Sequence, residues 1–318
     1  MGKERLTRLD AGLRAAALGF GLKILILRGG TLGDLILTLP VLGEIRKSYP
    51  DARLELLGIF PQARLAAPKF VDRVERVDAQ ALVQFFAEGL LPQVVRNRLE
   101  GFDLAISFLS DPDSIIARNL AAAGVKQIVA FSNQMRPELH AVFQFAEVLG
   151  QLGLTLHDPV PRLPVGPKPA QSSRVGFHVG SGSPQKNWPI DHWIELIQRL
   201  DGFFGDFLLV GGEADGKVVR EFRVRCRLRR LRILLNASLP DLCQALNECT
   251  VFVGHDTGVT HLAAAVGTPT VVMFGPTNAS VWAPLGKHVT VIRSPDGLME
   301  SIRLAEAVEV CRRFGMSS

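Results

Sequence analysis

Cysteine is scarce in this chain: Cys226, Cys243, Cys249 and Cys311 are the only four among 318 residues. Their spacing fits no zinc site, and so few thiols in a protein of this length are expected to be reduced, as in the cytosol. Long apolar runs are missing too. No stretch reaches the roughly 18–20 uninterrupted apolar residues that a membrane-spanning helix needs. The opening segment MGKERLTRLDAGLRAAALGFG has charges spread through it and no continuous apolar core, so it is not expected to be a signal peptide. Leu6 stands where a myristoylation motif wants serine or threonine. The histidines and carboxylates never fall at metal-ligand spacing, and no metal or cofactor is expected. Ser181 and Ser183 lack the context of a nucleophile elbow, which argues against a hydrolytic triad. Short repeats and low-complexity tracts are absent as well.

What remains is apolar, modestly basic and long enough for two domains, each with its own core. Apolar residues make up 47% of the chain, which excludes a disordered protein. A net charge of +5 does not by itself call for nucleic acid, and no nucleic-acid partner is expected. The charge is unevenly placed. Arg220, Arg223, Arg225, Arg227, Arg229, Arg230 and Arg232 crowd together, either as a solvated helix end or as a surface for an anionic partner such as lipid headgroups. Lys3, Arg5, Arg8 and Arg14 interleave with Leu6, Leu9, Leu13 and Leu18. This basic amphipathic extension, residues 1–22, would suit peripheral contact with a membrane surface or packing on the protein's own body.

Strand and helix signals alternate along the chain, which argues for parallel α/β sheets. Lys23 to Leu27 reads as a strand, and the turn Arg28–Asp34 leads into an apolar helical pattern through Ile45, with Pro40 expected to kink it. Further strands are expected at Arg53–Leu57 and Leu104–Phe108, and a helix at His140–Leu149. Pro159, Pro161, Pro164, Pro167 and Pro169 then mark Leu156 to Arg174 as a linker. Beyond it the alternation restarts, with strands at Val175–Val179, Phe207–Val210 and Ile233–Leu235 and helices at Asp191–Leu200, Gly216–Arg227 and Leu239–Leu246. The expected architecture is two Rossmann-like doubly wound domains, residues 1–160 and 161–318, facing a central cleft lined by the carboxyl ends of both sheets.

Four loops at strand carboxyl ends hold the reactive residues. The densest is in Val251–Thr277, which reads as strand, polar turn, helix and strand. Its helix, expected from Thr260 to Val266, would aim free N–H groups and a positive dipole end at a phosphate beside Asp256, Thr257, Gly258 and His261. Asp256 and Thr257 would equally serve as simple helix caps, and local pattern does not choose between these roles. The turn GGTLGD carries Thr31 and Asp34, but it lacks the lysine of a P-loop and its glycines do not fit the dinucleotide fingerprint. The loop His178–Pro189 offers Gly180 and Ser181 for close backbone approach and Lys186 for a phosphate oxygen. In GGEAD, Glu213 or Asp215 could accept from ribose hydroxyls.

Taken together, RGGTLGDLILTLP, RPELH, HVGSGSPQKNWPIDHW, LLVGGEAD and FVGHDTGVTHLAAAVGTPTVVMFGPTNASVWAP resemble glycosyltransferase family 9, the ADP-heptose:lipopolysaccharide heptosyltransferases. The resemblance runs from Lys23 onward and implies a GT-B fold, with a last helix at about Leu304–Arg313 crossing back to the first domain. It implies an inverting, metal-independent transfer of heptose from ADP-heptose to a lipid-linked saccharide acceptor of the lipopolysaccharide inner core. The protein would work at the cytoplasmic face of the inner membrane, soluble or peripheral. On this resemblance Asp34 is the general base that takes the acceptor's proton. Lys186 neutralises the departing diphosphate, while Asp256, Thr257, Gly258 and His261 hold it at the helix start. That stabilisation grows as charge moves onto the leaving group, so it lowers the barrier. Gly180 and Ser181 approach the phosphates.

The chain departs from the family pattern in two places. The family usually has glutamate four residues after the first glycine of the GG pair, where this chain has Asp215, with Glu213 two residues earlier. On the acceptor side no basic residue matches the family firmly, and Arg136 and His140 are the candidates, with a structural role at the helix start equally open to them.

Overall fold

A computed structural model describes residues 21–77, 84–132, 134–169 and 172–315. The basic amphipathic extension falls almost wholly within 1–20, outside the described residues. The chain divides into two compact units, Met1–Arg136 with Ala141–Pro159 and Pro137–His140 with Val160–Ser318. Each is a parallel-sheet α/β unit, the class expected from the sequence.

In the first unit β1 (Lys23–Arg28), α1 (Leu32–Ser48), β2 (Arg53–Gly58) and β3 (Arg73–Arg76) are followed by α2 (Gln93–Leu99), β4 (Leu104–Ser107), α3 (Ile115–Ala122), β5 (Gln127–Ala130), α4 (Ala141–Phe145) and α5 (Glu147–Gln151). The sheet order is β3-β2-β1-β4-β5, with every pairing parallel. β1 lies at its centre, and Ile24 to Leu27 are fully buried. Burial of each such side chain contributes about 1.5–3 kcal/mol, an upper bound on the real gain. Strand alternation sends Leu25 and Leu27 into a cluster with Phe85, Leu99 and Leu120, and sends Arg28 to the other face, against Phe145 of α4. Helix α1 runs unbroken through Pro40, which is itself buried. The helix expected at His140–Leu149 is instead two short ones, parted at Ala146.

In the second unit the elements are β6 (Arg174–Phe177), α6 (Ile190–Leu200), β7 (Asp206–Gly211), α7 (Gly216–Arg225), β8 (Leu231–Leu235), α8 (Leu239–Asn247), β9 (Val251–His255), α9 (Gly258–Ala265), β10 (Thr270–Phe274), α10 (Ala279–Trp282), β11 (Val289–Arg293) and α11 (Leu304–Gly315). The order is β11-β10-β9-β6-β7-β8, again parallel throughout. Trp193 of α6 stacks on Phe177 of β6, and Ile197 and Leu200 extend the same buried face. The helix that the sequence reading turns back toward the first domain is α11. It buries Ala307, Val308, Val310 and Cys311 in the core of the second unit, against α6.

The proline-rich segment carries no helix or strand up to Pro169, and it is docked rather than loose. Leu163 is buried, its N–H donates to Ala265 O at 2.8 Å, and Asn247 Nδ2 donates to Gly166 O at 2.9 Å. In the arginine cluster, Arg225 pairs with Asp191 and Glu221, and Arg230 stands 3.4 Å from Asp201. Among the described residues no helix is long and apolar enough to cross a membrane.

Candidate active site

Both sheets reverse their direction of winding once, between β1 and β4 in the first unit and between β6 and β9 in the second. In open α/β sheets ligands bind at the carboxyl ends of the strands beside such a switch point. Asp34 follows β1, Lys186 follows β6 and Asp256 follows β9. Each unit therefore carries its candidate residues where its topology favours a ligand.

In the first unit Thr31 is the N-cap of α1 and Asp34 closes a capping box with it. The Thr31 N–H and hydroxyl both donate to Asp34 Oδ2, at 2.8 and 2.9 Å. Gly30 makes this possible. Its φ of +85° is left-handed, and a Cβ there would stand 2.7 Å from Asp34 Oδ2. Asp34 thus helps close the first turn of α1, and about a quarter of its side chain remains exposed. Beneath it lies Arg28, which sequence reasoning passed over. Its guanidinium is 4.6 Å from the centre of the Phe145 ring and 5.6 Å from that of Phe108, and it donates to Asp34 O at 2.9 Å. The signal was a cation at the end of the buried run ILIL.

In the second unit Lys186 and Asp256 meet, with Nζ 2.8 Å from Oδ2. Thr257 is the N-cap of α9, which starts at Gly258 rather than Thr260 because that cap closes the turn earlier. His261 is buried in the first turn, its Nε2 4.0 Å from Asp256 Oδ1. The N–H groups of Thr260 and His261 donate to Thr257, which leaves those of Gly258 and Val259 at the head of α9 without an intrahelical acceptor. Through Asp256, two residues before α9 begins, a cation is held next to a helix start, an arrangement suited to an anion. Gly254 keeps the strand end close, since a Cβ there would stand 2.5 Å from Thr260 Oγ1.

Behind these residues runs a buried polar network. His178 Nε2 lies 2.9 Å from Asp215 Oδ2, and its Nδ1 lies 3.4 Å from Thr257 Oγ1. Burial opposes ionisation of Asp215, but hydrogen bonds from His178 and the Gly212 N–H outweigh it and hold the carboxyl below the usual range. His255 is fully buried, which pushes its pKa down to about 3 and keeps it neutral. The Trp188 N–H donates to His255 Nε2 at 2.9 Å, so Nδ1 carries the proton and donates to Gly180 O at 3.2 Å. Sequence reasoning missed His178 and His255 as well, and the signal was a polar residue at the end of each apolar strand.

Asp215 is turned into this network, only 6% exposed, whereas Glu213 is exposed. Gly180 is buried against Asp215, and the Ser181 hydroxyl bonds within its own loop, 2.6 Å from both Ser183 O and Asn187 Oδ1. The two acceptor candidates are held in the scaffold. Arg136 pairs with Glu147, and His140 Nε2 lies 2.8 Å from Ala283 O. Among the described residues no group of three or more His, Cys, Asp or Glu could hold a metal ion.

Residues 133–308, more than half of the chain, match the model of glycosyltransferase family 9 (heptosyltransferase). The chain belongs to glycosyltransferase family 9. Lipooligosaccharide heptosyltransferase 2 of Haemophilus ducreyi is 33% identical over 142 residues, 42% of this chain and 41% of that protein. The chain thus spans about two-fifths of that relative's length. Lipopolysaccharide heptosyltransferase 1 of Escherichia coli is 23% identical over 304 residues, 86% of this chain and 94% of that one. The solved E. coli heptosyltransferase WaaC with ADP has a TM-score of 0.72 at 20% identity, covering 92% of this chain and 100% of that chain. The same enzyme with ADP-2-deoxy-2-fluoro heptose gives 0.70 at 20% identity, covering 92% and 99%. These two likenesses show the fold, and that fold is GT-B.

Proposed function

We propose that this family 9 member is an inverting, metal-independent glycosyltransferase. It moves a heptose from ADP-heptose to a lipid-linked saccharide acceptor of the lipopolysaccharide inner core, at the cytoplasmic face of the inner membrane. The observation that carries the reading is Lys186 held beside Asp256 at the head of α9, a cation and a helix start presented to one anion. The WaaC structures solved with ADP and with a fluorinated ADP-heptose support ADP-heptose as the donor.

In this reading the acceptor hydroxyl attacks the anomeric carbon from the face opposite the diphosphate, and the configuration inverts. Asp34 takes the hydroxyl proton as the new C–O bond forms. The bond to the diphosphate breaks with its electron pair going to the leaving oxygen, where Lys186 and the α9 N–H groups meet the growing charge. These groups do the work that a divalent cation does in other transferases. Contact with the ribose falls to Glu213, because Asp215 is spent on His178 and Gly212. Calorimetry with ADP, UDP and GDP tests the donor. ADP is expected to bind most tightly, and UDP binding as tightly as ADP would overturn the assignment.

A further inference from the structure

Arg28 follows the buried apolar run Ile24–Leu27 at the end of β1 and is itself only 6% exposed, an unfavourable place for a charge. Burial pulls its pKa down to about 10, with Asp34 opposing the fall, so the guanidinium stays cationic through neutral pH. An apolar side chain would fill this position between Phe108 and Phe145 without desolvating a charge. What the guanidinium adds is its grip on one residue. Arg28 Nη2 donates to Asp34 O at 2.9 Å and stands 3.5 Å from Asp34 Oδ1.

The two carboxylate oxygens of Asp34 are therefore not equivalent. Oδ2 accepts the N–H and the hydroxyl of Thr31. Oδ1 faces Arg28 at 3.5 Å, longer than the 2.7–2.9 Å typical of a charge-assisted hydrogen bond. Among the described residues no hydrogen bond ends on Oδ1, so its lone pairs are open to a further donor.

We propose that Arg28 is a positioning residue for transfer, fixing Asp34 through its carbonyl oxygen and beside its carboxylate so that Oδ1 is the atom that receives the acceptor's proton. This rests on the reading of Asp34 as the base. The acceptor O–H bond breaks onto Oδ1 as the acceptor oxygen bonds to the anomeric carbon, and the diphosphate departs with the electron pair of the old C–O bond. Arg28 touches neither substrate nor proton. It sets the angle at which Oδ1 is presented, and a displacement of about 1 Å in such a group costs roughly 10²-fold in rate.

The test is a cycle of wild type, Arg28→Met, Asp34→Ala and the double variant, with Arg28→Lys beside them. For each, kcat and KM for ADP-heptose and the affinity for ADP alone are measured. Arg28→Met is expected to lower kcat about 10- to 100-fold and to leave KM and ADP affinity within about twofold. Arg28→Lys, which restores a cation without the guanidinium's fixed donors, is expected to give a kcat between those of wild type and Arg28→Met. In the Asp34→Ala background Arg28→Met costs nothing more, as required of a residue that acts only through Asp34. Wild-type kcat in Arg28→Met beside an inactive Asp34→Ala would overturn the inference and leave Asp34 as base. The same fractional loss with and without Asp34, or a Lys variant as impaired as the Met variant, would also overturn it. Full activity of Asp34→Ala would remove the base assignment, and this inference with it.

Discussion

Lys186 and Asp256 stand 70 residues apart in the chain and 2.8 Å apart in space. Both side chains keep some exposure, 29% and 14%, so the pair is of modest strength and can be surrendered to a ligand of higher charge. Asp256 then acts on the lysine rather than on a phosphate. Under the proposed function it keeps the ammonium at the head of α9 until the donor's diphosphate takes over.

Lys186→Met is therefore expected to weaken ADP binding by about tenfold or more, the loss of one charge-assisted contact. Adenosine, which has no phosphate, should bind both proteins alike. Titration of each protein with ADP and adenosine checks this, and an equal loss for both ligands would show that the lysine supports the loop rather than the anion.

Gly180→Ala tests the network beneath the loops. The added Cβ would stand 1.8 Å from Asp215 Oδ1, so Asp215 must move and its bond to His178 must break. A displaced buried carboxylate costs about 3–5 kcal/mol, and the unfolding midpoint should fall accordingly. Gly150 offers the control, since nothing lies within 4 Å of a Cβ there. A Gly180→Ala protein as stable as wild type would contradict the described packing.

The strand–turn–helix units around GGTLGD and HDTGVTH could be read from sequence because each turn and its reactive residues are contiguous. The central strands were equally plain, being apolar on both faces. Edge strands were not. β3, β5 and β11 gave no signal and β8 gave only its last three residues, because each buries few positions. Partners far apart in the chain were also invisible: His178 meets Asp215 across 37 residues, and Trp188 meets His255 across 67. Within a strand, a buried arginine or histidine carries the strand's pattern and gives no sign of its partner. The burial of Asp215 and the exposure of Glu213, which favour Glu213 in the proposed ribose contact, were likewise not legible in the sequence.

Stability should fall on mild acidification. Burial holds His255 down at about 3 and holds His140 below its ordinary value, the latter against a hydrogen bond to Ala283 O. Below pH 6.5 the unfolded chain therefore binds more protons than the folded one. Stability rises with pH in this window and is lost as pH falls toward 3. The slope from His255 approaches about 1.4 kcal/mol per pH unit, and His140 adds a contribution of the same sign. Below about pH 4 protonation of Asp215 adds a loss of the same sign. Denaturant unfolding between pH 7 and 4.5 checks this, with His255→Gln expected to show a shallower slope. A flat wild-type profile would refute it.

Excess EDTA should leave turnover within about twofold of the untreated enzyme, since Lys186 and the α9 N–H groups are assigned the diphosphate charge. Strict dependence on added Mg²⁺ would refute the proposed metal-independent departure.

The most direct measurement compares wild type with Asp34→Ala in ADP-heptose turnover and, on the same preparations, in ADP affinity. Loss of a general base should cost about 10²–10⁴-fold in kcat, while ADP affinity stays within about twofold. Equal turnover by the two proteins would contradict the account.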